Sequence, residues 1–202
     1  MKKLLVEEKI VIGFILCIVC LRILLPKGKA SSFQFKPGDI LITKSTAPGV
    51  IGKGIVGHAG IMIDSKTVLH IAGPGKKPSM ISVTKWLSKS MNPSTKVIRS
   101  KNASLGKKAA QKARNSFLNK NIPYDLNFAP NPTNIKKTYC SELVWYSYYK
   151  AGSEYKKSST LSMGGGVFIT IWQRPSIIKP YDFLNSSALS HNNFKIVKTF
   201  NF

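Results

Sequence analysis

Cys140, in the stretch KKTYCSELVWYSYYKAG, is the one cysteine outside the hydrophobic N-terminus, and the chain has only three histidines, His58, His70 and His191. A thiol and an imidazole brought together make a nucleophile and the base that activates it. The acids offer less. Beyond residue 30 they are Asp39, Asp64, Asp125, Glu142, Glu154 and Asp182, no two closer than twelve residues. Paired-carboxylate hydrolysis needs two acids that the fold alone would have to bring together, and a calcium loop needs several close in sequence. Sulfur and imidazole remain as the candidate chemistry.

The residues after Cys140 read as a helix, which places the thiol at a helix N-terminus, where backbone N–H groups and the dipole favour thiolate and lower its pKa. The competing reading is an inert cysteine packed beside Tyr139 and Val144. His58 and His70 lie in HAGIMID and TVLHIAG, two β-prone runs separated by turn residues. An odd loop such as Asp64-Ser65-Lys66 would put both imidazoles on one face of the hairpin, and an even loop would put them on opposite faces. With the odd loop, His58 can take the thiol proton while His70 orients it. The same three residues also suit a three-ligand zinc site, although they lack the close paired spacing of CxxC or HxxxH. Glu142 falls in the helix's first turn, where its charge favours the helix. His191, in the polar run SHNNF, reads as a surface residue.

Other elements must position these groups. FQFKPGDILITKS reads as a strand entered through a Pro-Gly turn, and APGVIGKGIVG as a glycine-rich loop. ISVTKWLSKS is a short mixed element and KVIRS a strand. In LGKKAAQKARNSFL, Leu105, Ala109, Ala113 and Phe117 form an apolar stripe at spacing four, predicting a surface helix. NIPYDLNFAPNPTNIKK, rich in proline and asparagine, predicts a long loop before the cysteine helix, which Gly152 ends. The tail predicts a turn at the GGG run, strands at VFITIW and FKIVKTF, and a capped helical turn at PYDFLNSS.

The chain has 202 residues and a formal net charge of +23. That length fits one domain plus a targeting segment. Residues 1–30 combine early lysines, the apolar run IVIGFILCIVC and small residues Gly28 and Ala30, which predicts a signal peptide cleaved after Ala30 or an N-terminal membrane anchor, and an extracytoplasmic location. Bulky residues before Cys17 and Cys20 argue against lipidation there. The first thirty residues hold six basic and two acidic side chains, so residues 31–202 keep 25 basic against six acidic, a net +19. Such a surface attracts anionic wall polymers or an acidic membrane. Its scattered lysine pairs lack the aromatic interleaving of a nucleic-acid module, so no specific nucleic acid is expected.

In order along the chain, GDIL (38–41), GHAGIM (57–62), TVLHIAG (67–73), PYD (123–125) and YCSELVWYSYYKAG (139–152) resemble the circularly permuted papain-like amidases of the YaeF/YiiX group, relatives of the NlpC-type cell-wall peptidases. The resemblance spans about residues 36 to 190 and implies an α+β fold in which an antiparallel sheet packs against the cysteine helix, as a single domain over residues 31–202. It implies Cys140 as nucleophile, His58 as general base, His70 as third member and Tyr124 near the oxyanion, with neither metal nor cofactor. Many members of the group carry an acid near the position of His70, whereas lecithin:retinol acyltransferase-like relatives have a second histidine there. Two reactions through a thioester are therefore implied. The first is hydrolysis of amide bonds in peptidoglycan peptides by a cysteine amidase, and the alternative is acyl hydrolysis or acyl transfer on lipid amides or esters. A non-catalytic cationic module binding wall or membrane is a third reading.

Overall fold

The computed structural model describes residues 33–44, 57–126 and 131–202. Residues 1–30, with their predicted targeting segment, and the glycine-rich run before Gly57 lie outside the described residues. The elements of the unit Gln34–Phe202 are, in chain order, β1 (Ile40–Thr43), β2 (His58–Met62), β3 (Thr67–His70), β4 (Ser79–Ser82), α1 (Val83–Trp86), β5 (Ser94–Ser100), α2 (Ala103–Phe117), α3 (Cys140–Lys150), β6 (Lys157–Ser162), β7 (Phe168–Gln173), a 3-10 turn (Pro180–Leu184), α4 (Ser186–His191) and β8 (Phe194–Asn201).

Six strands form one sheet in the order β4-β3-β2-β1-β5-β8, every neighbouring pair antiparallel. β6 and β7 form a separate hairpin. The fold is mixed α+β, with the sheet packed against the helix that carries Cys140.

Alternation along the strands divides the sheet into two faces. Ile40, Ile42, Ala59, Ile61, Leu69, Ile71 and Ile98 join Ala109, Ala113 and Phe117 of α2 and Leu143, Val144 and Trp145 of α3 in one apolar core. Leu41, Thr43, His58, Gly60, Met62, Val68 and His70 alternate with them on the other side, where Trp86 packs against Gly60 and both histidines. The predicted stripe on α2 is real at Ala109, Ala113 and Phe117, which are buried. α3 differs from an ordinary surface helix: every residue from Cys140 to Tyr148 is buried, so it is the central helix of the domain. Its polar side chains are satisfied locally, with Ser141 Oγ donating to the Ile178 carbonyl at 2.7 Å and Trp145 Nε1 to the Tyr155 carbonyl at 2.8 Å.

The start of β1 is fixed by charge. Asp39 is fully buried at its carboxylate and receives Arg99 from β5 through Nε at 2.6 Å and Nη2 at 2.7 Å, plus the Lys36 amide at 2.8 Å. This forked pair ties two neighbouring strands together at the end of the sheet.

Candidate active site

The hairpin loop is odd. Ile63 donates to the Thr67 carbonyl at 2.9 Å across Asp64-Ser65-Lys66, and Asp64 Oδ1 closes the turn by accepting from the Lys66 and Thr67 amides at 2.7 and 2.8 Å. The register Ile61↔Leu69, continued by one position, sets His70 opposite Gly60, so His58 and His70 are diagonal neighbours on one face. Their rings meet: His58 Nε2 lies 2.9 Å from His70 Nδ1.

Trp86 holds this pair. The indole stacks on His58 with centroids 5.1 Å apart and meets the His70 ring edge-on at 5.6 Å, while its Nε1 donates to Thr95 Oγ1 at 3.2 Å. The close packing requires Gly60, since a Cβ there would lie 2.7 Å from Val68 Cγ1 and 2.9 Å from Trp86 Cζ3. Trp86 reaches this place from the single turn of α1, capped by Ser82, whose Oγ accepts from the Lys85 amide at 3.1 Å. Neither Trp86 nor Gly60 stood out in the sequence, although Gly60 sits two residues after the first histidine, on the same face.

Both imidazoles are neutral at ordinary pH. Burial, reinforced by the neighbouring His70, pushes His58 down to about 3; burial and the positive Lys85 push His70 down to about 4. With His58 in the tautomer that donates from Nε2, His70 Nδ1 accepts and His58 Nδ1 keeps its lone pair.

Cys140 opens α3, at the end of the sheet where β2 begins. Its sulfur accepts from the backbone N–H of Ala59, the residue after His58, and from Ser141. The expectation of a depressed thiol pKa is corrected here. Burial pushes the thiol up and outweighs the helix N–H groups that pull it down, so the resting group is a neutral thiol. Glu142 is corrected in the same way. Burial lifts its carboxyl to about 7 despite bonds from Thr138 and the Tyr139 amide, so at neutral pH it holds much less charge than an exposed acid.

Tyr124 is brought to the cysteine by a parallel bridge between Tyr124 and Thr138, with Thr138 donating to the Pro123 carbonyl at 3.1 Å and Asp125 to the Thr138 carbonyl at 3.0 Å. Burial and the nearby Cys140 and Tyr139 hold its hydroxyl in the protonated form. His191 is exposed and elsewhere, stacked flat on Trp172 at 3.9 Å. Among the described residues no group of three or more His, Cys, Asp or Glu side chains is placed to hold a metal ion, and the zinc reading lacks a site.

Residues 8–199 match the family described as lipoprotein N-acylation protein LnsA-like. The chain belongs to the LnsA-like family. This LnsA-like chain is also 31% identical over 169 residues to an uncharacterized 30.3 kDa protein of Bacillus thuringiensis, an alignment covering 77% of the chain and 61% of that relative. The chain thus spans about three-fifths of the relative's length. No solved structure matches it. The family description names lipoprotein N-acylation.

Proposed function

We propose that this protein is a thiol-dependent acyl hydrolase or acyltransferase of the cell envelope, in which Cys140 takes an acyl group from a lipid ester or amide as a thioester. The reading is supported by the buried, neutral His58–His70 pair at 2.9 Å, carried on the hairpin whose Ala59 amide donates to the Cys140 sulfur. The family description supports acyl transfer as the class of reaction.

The chemistry follows from the protonation states. Because thiol and imidazole both rest neutral, proton transfer accompanies attack rather than preceding it. The Cys140 proton moves to His58 Nδ1 as Sγ bonds to the acyl carbon. The His58 Nε2–H bond to His70 Nδ1 then spreads the new positive charge. His58 returns the proton to the departing alcohol or amine, and the thioester passes to water or to an amine acceptor. Amides at the start of α3 and the protonated Tyr124 hydroxyl face the developing oxyanion. His70 works as a neutral acceptor here. A carboxylate in its place would raise the basicity of His58 and draw the resting pair toward thiolate–imidazolium. The strand histidine preceding the helix cysteine supports a permuted papain-like arrangement, and the early lysines and apolar run of residues 1–30 support a signal or anchor there.

The test gives the full chain a phospholipid and a diacylated lipopeptide with isotopically labelled acyl chains, beside wall muropeptides. Labelled fatty acid or an N-acylated product, lost in Cys140→Ala, is expected. Cleavage of muropeptides with the lipids untouched would return the protein to the amidase reading.

A further inference from the structure

The β6–β7 hairpin is unlike the rest of the surface. Eight large apolar side chains stand exposed among the described residues, and five of them, Leu161, Met163, Val167, Phe168 and Ile169, fall within nine consecutive positions at its tip, each 40 to 67% exposed. The register Leu161↔Ile169 and Ser162↔Phe168, with Met163 donating to the Val167 carbonyl at 2.9 Å, puts Leu161, Met163, Val167 and Ile169 on one face and Phe168 on the other. An apolar cluster of this kind marks an interaction site rather than ordinary surface.

Composition changes along the hairpin's length. Its outer half is apolar and exposed around the Gly164–Gly166 turn, whereas its base carries serine, threonine and lysine on β6 and, on β7, Ile171 and Trp172, which are half-buried. The base is also secured to the domain. Trp172 stacks on His191, Arg174 pairs with Glu154, and Lys157 Nζ lies 2.8 Å from Asp182. Between Glu154 and Asp182 there is no acid, while Lys156, Lys157, Arg174 and Lys179 supply positive charge, and the two bounding acids are themselves held in ion pairs. Nothing anionic therefore accompanies the apolar tip into whatever it meets.

We infer that the β6–β7 tip is a wedge that enters the interface of an anionic lipid bilayer, with the lysines at its base on the headgroups. Pairing between the strands satisfies their facing backbone groups, and the outward-facing ones stay within reach of headgroup water at interfacial depth. The apolar section, from Leu161 to the turn, rises about 10 Å at the usual spacing per strand residue, enough for interfacial burial of about 5–10 Å. A chain of net charge +23 is drawn to such a surface before the tip engages. The inference goes beyond the proposed reaction and holds whichever bond Cys140 attacks.

Depth-dependent quenching tests it on the full chain and reads the hairpin locally, apart from the apolar N-terminal residues. Protein with Phe168→Trp is mixed with vesicles of phosphatidylcholine and phosphatidylglycerol whose acyl chains carry bromine, with the wild type, bearing Trp86, Trp145 and Trp172, as baseline. The expected result is a loss of the emission added by Phe168→Trp, much smaller when phosphatidylglycerol is omitted. Co-flotation with vesicles without added quenching would overturn the inference. So would a concentration-dependent blue shift of that indole without lipid, which would assign the tip to a second copy of the chain. Equal quenching in neutral vesicles would overturn the anionic requirement.

Discussion

Replacing His70 with asparagine should flatten the acid side of the stability profile in a way that burial of the two histidines dictates. In the unfolded chain each imidazole titrates near 6.5, while in the fold His58 is held near 3 and His70 near 4. Between those limits the unfolded state binds protons that the folded state does not. Stability from the neutral pair is therefore fully present above pH 6.5 and is lost as pH falls toward 4. From pH 7 to pH 5 each histidine should withdraw about 2 kcal/mol. Glu142 acts in the opposite sense. Its folded pKa near 7 lies above its unfolded 4.5, so it adds about 2 kcal/mol over the same interval as it protonates. The wild type should thus lose about 2 kcal/mol between pH 7 and pH 5, and His70→Asn, keeping only His58 and Glu142, almost nothing. Urea unfolding of both proteins at the two pH values measures this, and subtracting the profiles cancels Glu142. Parallel profiles would refute the reasoning, because they would mean that His70 titrates alike folded and unfolded.

Gly60→Ala drives a methyl group into Val68 and Trp86, both fully buried, and should cost about 1–3 kcal/mol as overpacking while slowing acyl transfer, since the indole that seats His58 must shift. Thermal unfolding alongside the acyl assay checks both effects. Asp39→Asn removes the charge beneath Arg99 and should destabilise by about 3 kcal/mol, leaving Cys140 alkylation in the folded protein unchanged. Alkylation of Cys140 should be slow at neutral pH and keep rising beyond pH 9, because burial holds the thiol above its ordinary value. A plateau below pH 7 would instead reveal a resting thiolate.

The β2–β3 hairpin was readable because Asp64, Ser65 and Lys66 carry turn chemistry between two apolar runs, but the parity of the loop was not, and parity decides whether His58 and His70 meet. α2 was readable from its alanine stripe. β6 was hidden because KSSTLS has no apolar face of its own and is a strand only through pairing with β7. Trp86 was hidden for another reason: its one-turn helix is too short for any period to register, and its role comes from tertiary packing on Gly60. The ionisation of Cys140 and Glu142 was misread from position alone. A helix N-terminus favours negative charge, but both groups lie on a helix buried through Tyr148, and desolvation there exceeds the dipole. The chemical class of substrate was legible only as a pair of alternatives, since a thiol with two histidines serves amidase and acyltransferase alike.

The most direct measurement of the central claim is intact-mass analysis of the full chain after brief exposure to a labelled lipid acyl donor and acid quench, followed by peptide mapping. Acyl mass on Cys140, released by hydroxylamine, absent from Cys140→Ala and strongly reduced in His58→Gln, is the predicted result. Product formation in the wild type with no thioester on Cys140, or unimpaired turnover in Cys140→Ala, would contradict it.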